Sequence, residues 1–201
     1  MKSIRVLLVE DHEIIRKGIA GLIRKMDDLE VVGEAGDGEA GIRMAGEVAP
    51  NVVIMDVMMP GMNGIEATRH IHGIFPQINI ITLSLHSDRE YVIGMLKAGA
   101  LGYLLKDCAF EELIEAIRTV NNRKLFISRS LFGTMARELL YIAANATDRA
   151  AKLFTDSETD VLHLLARGRR PAEITSVLSM RAHDVEQDCQ SVVNKWLMLF
   201  Q

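Results

Sequence analysis

The stretch Ile4-Arg5-Val6-Leu7-Leu8-Val9-Glu10-Asp11 decides the fold: an apolar run short enough for a buried strand ends abruptly in two acids. After it, Ile14, Ile15, Ile19, Leu22 and Ile23 keep helical spacing, with Gly18 and Gly21 between them. The cycle then repeats. Strands are expected over 30–35, 52–55, 79–84 and 102–105, and helices near 38–48, 64–74, 88–98 and 110–121. In the last of these, Leu113, Ile114, Ile117 and Val120 form the apolar stripe. Five strands alternating with five helices predict an α/β fold, a five-stranded doubly wound parallel sheet covered on both faces. Functional residues should then gather at the carboxyl ends of the strands, where the connecting loops form a crevice.

The chain has 201 residues, enough for this domain and a smaller second one. Its net charge of −4 excludes an overall basic footprint for nucleic acid or an acidic membrane. No apolar run approaches the roughly 18 residues of a membrane span. The opening Met-Lys-Ser-Ile-Arg runs straight into a strand, so no secretory leader is expected. Two distant cysteines, Cys108 and Cys189, suit a reducing compartment and leave no disulfide framework or zinc cluster. A cytoplasmic protein is expected.

The alternation defines a first domain over 1–122. The stretch 123–153 reads as a partly helical linker, with one helix over 131–144. A second, all-α domain spans 154–201. Thr155-Asp156-Ser157-Glu158 is a capping box, Gly168 ends the helix that follows, and Pro171 opens the next. Val185, Cys189, Val192 and Trp196 make the apolar stripe of a third helix. A tight turn between the last two helices predicts a helix-turn-helix.

Glu10 and Asp11 end the first strand and Asp56 ends the third, so the topology brings three carboxylates into one crevice. Such crowding is unfavourable unless a cation or a shared proton relieves it. With oxygen ligands and no His or Cys expected nearby, Mg2+ is the natural ion. Lys106 follows the fifth strand as the pocket's own cation, and Ser84 ends the fourth as a hydroxyl donor. Together they have the chemistry to stabilise a transferring phosphoryl group. The plainer alternative is that the acids cap helices, as Asp11 could for the first one. For all five residues at the right strand ends, function is the stronger reading.

Val9-Glu10-Asp11-His12, Asp56-Val57-Met58-Met59-Pro60-Gly61-Met62-Asn63-Gly64 and Gly102-Tyr103-Leu104-Leu105-Lys106-Asp107 resemble the receiver domain of bacterial two-component response regulators. Lys106-Asp107 and the helix-turn-helix beyond are similar to the subfamily named after its nitrate and nitrogen-fixation regulators. The resemblance implies that Asp56 accepts a phosphoryl group from a cognate histidine kinase. It implies that Glu10 and Asp11 hold Mg2+ with Asp56 and the carbonyl of Met58, and that Lys106 pairs with phosphoryl oxygens. Ser84 and Tyr103 carry the switch: the hydroxyl is drawn to the new dianion and Tyr103 turns inward behind it. The plainer reading of Tyr103 is a half-buried ring with its hydroxyl in water. Met58 and His86 stand at family positions that tune phosphoryl hydrolysis. The chain would be no enzyme, at most dephosphorylating itself slowly. Two enzymes with related pockets fit poorly. A dehalogenase-type phosphatase needs two aspartates one residue apart after the first strand, and an FMN site needs a hydroxyl- or glycine-rich phosphate loop there.

Residues 155–201 resemble the helix-turn-helix of quorum-sensing regulators, with Thr155, Glu158, Gly168, Glu173, Val185 and Lys195 at matching places. The departures gather where DNA would lie: Arg181 replaces a Ser or Thr cap, Glu186 a Lys, and Asp188 a frequent His. The segment holds five basic and seven acidic residues. A carboxylate about 6 Å from a phosphate costs roughly 2–3 kcal/mol before screening at an effective dielectric near 20. On the other side, Gln187, Gln190 and Asn194 suit adenine edges, and Arg169, Arg170 and Lys195 suit phosphates. The family usually continues through a fourth helix, so the domain looks truncated and Trp196 to Phe200 lack that cover. The expectation is a transcription regulator that binds DNA, dimerises on phosphorylation and touches no membrane. The alternative is a phosphorylation-dependent protein-interaction regulator whose acidic helix-turn-helix no longer binds DNA.

Overall fold

A computed structural model describes residues 3–145 and 153–199 of the chain. It divides into two units, residues 1–127 and 128–201.

The first unit alternates strands and helices: β1 Ile4–Val9, α1 Glu13–Ile23, β2 Leu29–Ala35, α2 Gly38–Val48, β3 Val52–Met55, α3 Gly64–Ile74, β4 Asn79–Ser84, α4 Arg89–Ala98, β5 Gly102–Leu105, α5 Phe110–Asn121 and β6 Phe126–Ile127. The sheet is parallel, in the order β2-β1-β3-β4-β5-β6. It has six strands where five were expected. β6 is only two residues long, too short to carry a periodicity, and exists because Gly102 and Tyr103 offer it a paired edge.

Alternation along the strands sorts the core. Val6, Leu8, Ile54, Ile81 and Leu104 pack with Ala20 and Ile23 of α1 and with Leu113, Ile114 and Ile117 of α5. On the other side lie α2, α3 and α4, where Gly41 of α2 lets the helix approach Val9 so closely that an added Cβ would meet it at 2.9 Å. Register then fixes the strand ends. Val9 pairs with Met55, and Ser84 with Leu105. The ladder continues one step beyond, with Asp56 N–H donating to Val9 O (2.9 Å) and Lys106 N–H to Ser84 O (2.8 Å).

The second unit contains α6 Arg129–Asn145, α7 Asp156–Ala166, α8 Pro171–Leu178 and α9 Ala182–Leu199. The stretch 123–153, set apart by sequence as a linker, is therefore shared as far as it is described: β6 joins the sheet and α6 packs on α7. The Thr155 capping box forms in full, with Glu158 N–H on Thr155 Oγ1 (3.2 Å) and Thr155 N–H on Glu158 Oε2 (2.7 Å). Trp196, expected to lack cover, is buried, and its indole N–H donates to Glu138 of α6 at 2.8 Å. Met198 and Leu199 are exposed, and Phe200 lies outside the described residues. No helix among the described residues is long and apolar enough to cross a membrane.

Glu158 ties the unit together. Lys195 Nζ lies 2.7 and 2.6 Å from its two oxygens, and Ser191 Oγ donates at 2.5 Å. Burial alone would raise this carboxyl, but the bonds from Lys195, Ser191 and the Thr155 N–H outweigh it and hold its pKa at about 2. A depressed folded pKa contributes stability that is full above the unfolded value near 4.5 and is lost as pH falls toward about 2. Glu158→Gln should therefore cost about 1–3 kcal/mol at pH 7 and flatten the loss of stability below pH 4.5. Urea unfolding followed by the fluorescence of Trp196, the chain's single tryptophan, reads both.

Candidate functional site

Because β1, β3 and β5 end together, Glu10, Asp56 and Lys106 meet at one rim of the sheet, all nearly shut from solvent. Lys106 Nζ lies 2.7 Å from Glu10 Oε2 and 3.1 Å from Asp56 Oδ2. The second oxygen of Asp56 accepts from the Val57 N–H at 2.8 Å. Burial first, and then the Glu10 charge, push Asp56 above the ordinary carboxylate range, which Lys106 and the Val57 N–H offset only in part. The loop that follows is held tight against the acid. Gly64 N–H donates to Val57 O at 2.9 Å, and a Cβ on Gly64 would sit 1.9 Å from Asp56 O. Only glycine can begin α3 here. Met58 is exposed on this loop while Met55 and Met59 are core residues, consistent with loop and packing roles.

Asp11 does not cap α1. The N-cap is His12, without a side-chain capping bond. The Asp11 carboxylate turns instead to the crevice, where one carboxylate oxygen each from Glu10, Asp11 and Asp56 and a ring nitrogen of His12 lie within 4.8 Å of one another. The expectation that no histidine stands near the pocket is thus corrected. His12 Nδ1 is 2.8 Å from Asp11 Oδ1 and 3.2 Å from Glu10 Oε1. Its adjacency to Glu10-Asp11 in the β1–α1 turn was the available signal. Asp11 Oδ1 is nonetheless a buried oxygen without an aligned hydrogen bond. An unsatisfied buried carboxylate oxygen among two other carboxylates is a donor set suited to a hard divalent cation.

Ser84 and Tyr103 lie behind the pocket. Ser84 Oγ accepts from the His86 N–H at 3.0 Å, and the Tyr103 hydroxyl donates to His86 O at 2.7 Å. Tyr103 is fully buried, so the half-buried alternative with a solvated hydroxyl does not hold. Burial pushes its pKa up to about 12. The two cysteines are raised by burial too, Cys108 to about 11 and Cys189 to about 12, and remain protonated thiols.

In the second unit, His183, Gln187, Gln190 and Asn194 form the exposed stripe of α9, with Gln190 donating to Asn194 at 3.2 Å. Two of the neighbouring acids have partners. Asp184 is paired with Arg181 (2.8 Å), and Asp188 accepts from Ser157 (2.6 Å). Two cations expected at phosphates are likewise engaged, Arg170 with Glu173 (3.1 Å) and Lys195 with Glu158.

Residues 6–118 match the family described as the response regulator receiver domain. The chain is 35% identical over 192 residues to the transcriptional regulatory protein LiaR of Bacillus subtilis, covering 96% of this chain and 90% of the relative. It is 34% identical over 177 residues to the response regulator UvrY of Escherichia coli K12, covering 88% and 80%. Among solved structures it resembles a two-component response regulator of the LuxR family from Aurantimonas sp. SI85-9A1, with TM-score 0.66 and 33% identity over 69% of this chain and 99% of that one. The Salmonella typhimurium response regulator RcsB aligns over 98% of this chain and 93% of its own, with TM-score 0.62 and 26% identity.

A raised carboxyl destabilises the folded state when ionised. Its stability contribution falls as pH rises through the folded pKa, which lies above the ordinary 3.8 for Asp56. In EDTA at pH 7, Asp56→Asn should therefore melt a few degrees above wild type, with the difference vanishing toward pH 4. Calorimetry of the first unit's transition in the full chain measures it; an Asp56→Asn chain that melts lower at pH 7 contradicts the charge-crowding account.

Proposed function

This chain belongs to the two-component response regulators, in the LuxR-type group whose members carry a receiver domain, and we propose that its phosphoryl acceptor is Asp56 and its output DNA. A histidine kinase would supply the phosphoryl group from a phosphohistidine. An Asp56 oxygen attacks phosphorus in line, the P–N bond breaks, and the electron pair stays on the imidazole, leaving an acyl phosphate. Lys106, which bridges Glu10 and Asp56, is within reach of the charge that develops on the phosphoryl oxygens. Glu10, Asp11, Asp56 and the Met58 carbonyl are the residues we assign to Mg2+, which when bound supplies charge neutralisation between carboxylates and phosphoryl oxygens. The single observation that carries this reading is Asp56 itself: a buried, charge-crowded carboxylate at a strand end with a lysine at 3.1 Å.

We assign the switch to Ser84 and Tyr103, which share His86 as a hydrogen-bond partner. A dianion on Asp56 competes for the Ser84 hydroxyl, and any movement of the loop at His86 is felt directly by Tyr103. The protein acts as a phosphoryl acceptor rather than an enzyme, at most hydrolysing its own acyl phosphate slowly. Its expected setting is the cytoplasm, with dimerisation on phosphorylation. Within the family, Lys106-Asp107 and the helix-turn-helix support the nitrate and nitrogen-fixation subfamily. For DNA we assign base contacts to Gln187, Gln190 and Asn194, and phosphate contact to Arg169. One observation favours the protein-interaction reading instead: the exposed stripe of α9 carries no Lys or Arg.

With acetyl phosphate and Mg2+, wild type should gain one phosphoryl group, seen as a mass increase labile to hydroxylamine. Asp56→Asn should gain none, and Lys106→Ala should be labelled more slowly than wild type. Equal labelling of wild type and Asp56→Asn would remove Asp56 from the reading.

A further inference from the structure

The crevice around Asp56 is not purely an oxygen site. Lys106 Nζ takes Glu10 Oε2 (2.7 Å) and Asp56 Oδ2 (3.1 Å), and the Val57 N–H takes Asp56 Oδ1 (2.8 Å). That leaves Glu10 Oε1 and Asp11 Oδ1, and His12 meets both. Its Nδ1 lies 2.8 Å from Asp11 Oδ1 and 3.2 Å from Glu10 Oε1.

A hydrogen bond does not account for the shorter contact. Asp11 Oδ1 is a buried oxygen with no N–H aligned on it, although the ring nitrogen is at 2.8 Å. Ligand atoms at neighbouring corners around one cation, with bonds of about 2.0–2.2 Å, stand about 2.8–3.1 Å apart. The spacing of Nδ1 from the two carboxylate oxygens is of that size. His12 is also uncommitted to its helix. It is the N-cap of α1, yet its side chain caps no backbone N–H, and its side chain is 63% exposed, which leaves the ring room to turn.

We propose that His12 Nδ1 is a nitrogen ligand of this pocket and turns its preference toward a first-row transition divalent cation. The proposal rests on the reading of Glu10, Asp11 and Asp56 as the carboxylates that hold a divalent ion. Mg2+ suits an all-oxygen donor set, and a nitrogen in the set changes that. Imidazole suits the transition ions from manganese to zinc, whereas Mg2+ keeps to oxygen and gives up its water reluctantly. Coordination through Nδ1 puts the ring proton on Nε2, which an exposed side chain leaves to water. His12 then sets which ion is held, and Asp11, whose Oδ1 it adjoins, shares the ion with it.

The test uses the full chain stripped with EDTA, titrated calorimetrically with Mg2+ and with Co2+, and loaded with Mn2+ for pulsed electron paramagnetic resonance. Wild type should show the nitrogen modulation of a coordinated imidazole, and His12→Asn should lose it. Asparagine is a good N-cap and carries both a donor and an acceptor, so it keeps the helix and any hydrogen bond to Asp11. His12→Asn should weaken Co2+ binding about tenfold or more and change Mg2+ binding by less than about twofold. Asp11→Asn should weaken both ions, and circular dichroism checks that each variant folds. A wild-type spectrum without nitrogen modulation overturns the ligand. So does a His12→Asn chain that binds both ions like wild type, or one that weakens both alike, which assigns the ring to positioning Asp11. In those cases loss of both ions in Asp11→Asn keeps the carboxylate site standing. Mg2+ and Co2+ binding that Asp11→Asn does not alter overturns the carboxylate site and His12 together.

Discussion

The first unit is organised around a repulsion. Glu10, Asp11 and Asp56 are brought within a few ångströms because β1 and β3 are neighbours in register, and their mutual charge is met by the Lys106 ammonium from β5. That arrangement depends on features far from the pocket. The ladder step from Val9 O to Asp56 N–H sets the height of the acceptor. Gly64 lets α3 start against its carbonyl, and Gly41 lets α2 settle on Val9 beneath. A parallel sheet buried on both faces gives these residues little room to relax, so the electrostatic tension stays in the carboxyl groups rather than dissipating through movement.

Much of this was legible in the sequence, because strand ends are local information. Once Ile4 to Val9, Val52 to Met55 and Gly102 to Leu105 read as buried strands, the topology alone placed Glu10, Asp56 and Lys106 together. What escaped was whatever depends on a partner distant in the chain or on a choice of rotamer. β6 has no periodicity of its own and is defined by the edge it joins. Tyr103 is buried with its hydroxyl satisfied by His86 O, seventeen residues earlier, a bond that no spacing rule announces. No histidine was expected near the pocket, yet His12, the N-cap of α1, turns its ring back to Asp11, a choice of rotamer that adjacency alone does not announce.

The second unit shows the same limit more sharply. Counting charges along residues 155–201 suggests that Lys195 is an available cation and Asp188 an obstacle. Folded, Lys195 is spent on Glu158, thirty-seven residues away, and Asp188 on Ser157. Pairing does not erase a negative field, and Asp188 gains no counter-charge from a hydroxyl. It does remove these groups from the outward face of α9, which carries amides and an imidazole. Likewise, Trp196 needs no fourth helix for cover, since Glu138 of α6 receives its indole N–H. Sequence order made α6 a linker, whereas packing makes it part of the unit.

The placement of Tyr103 bears on how a phosphoryl group could act as a signal. A modification shifts a two-state element only by the difference in its interaction with the two states. Here the aromatic ring is already inward and bonded to His86 O, and Ser84 already accepts from the same residue's N–H. A dianion on Asp56 therefore has little to gain by drawing Tyr103 further in. Its leverage lies on Ser84, whose hydroxyl hydrogen faces a new acceptor while its oxygen keeps the His86 N–H. The two demands are compatible, because a hydroxyl donates once and accepts twice. Phosphorylation would then lock a conformation the unmodified chain already visits rather than create one.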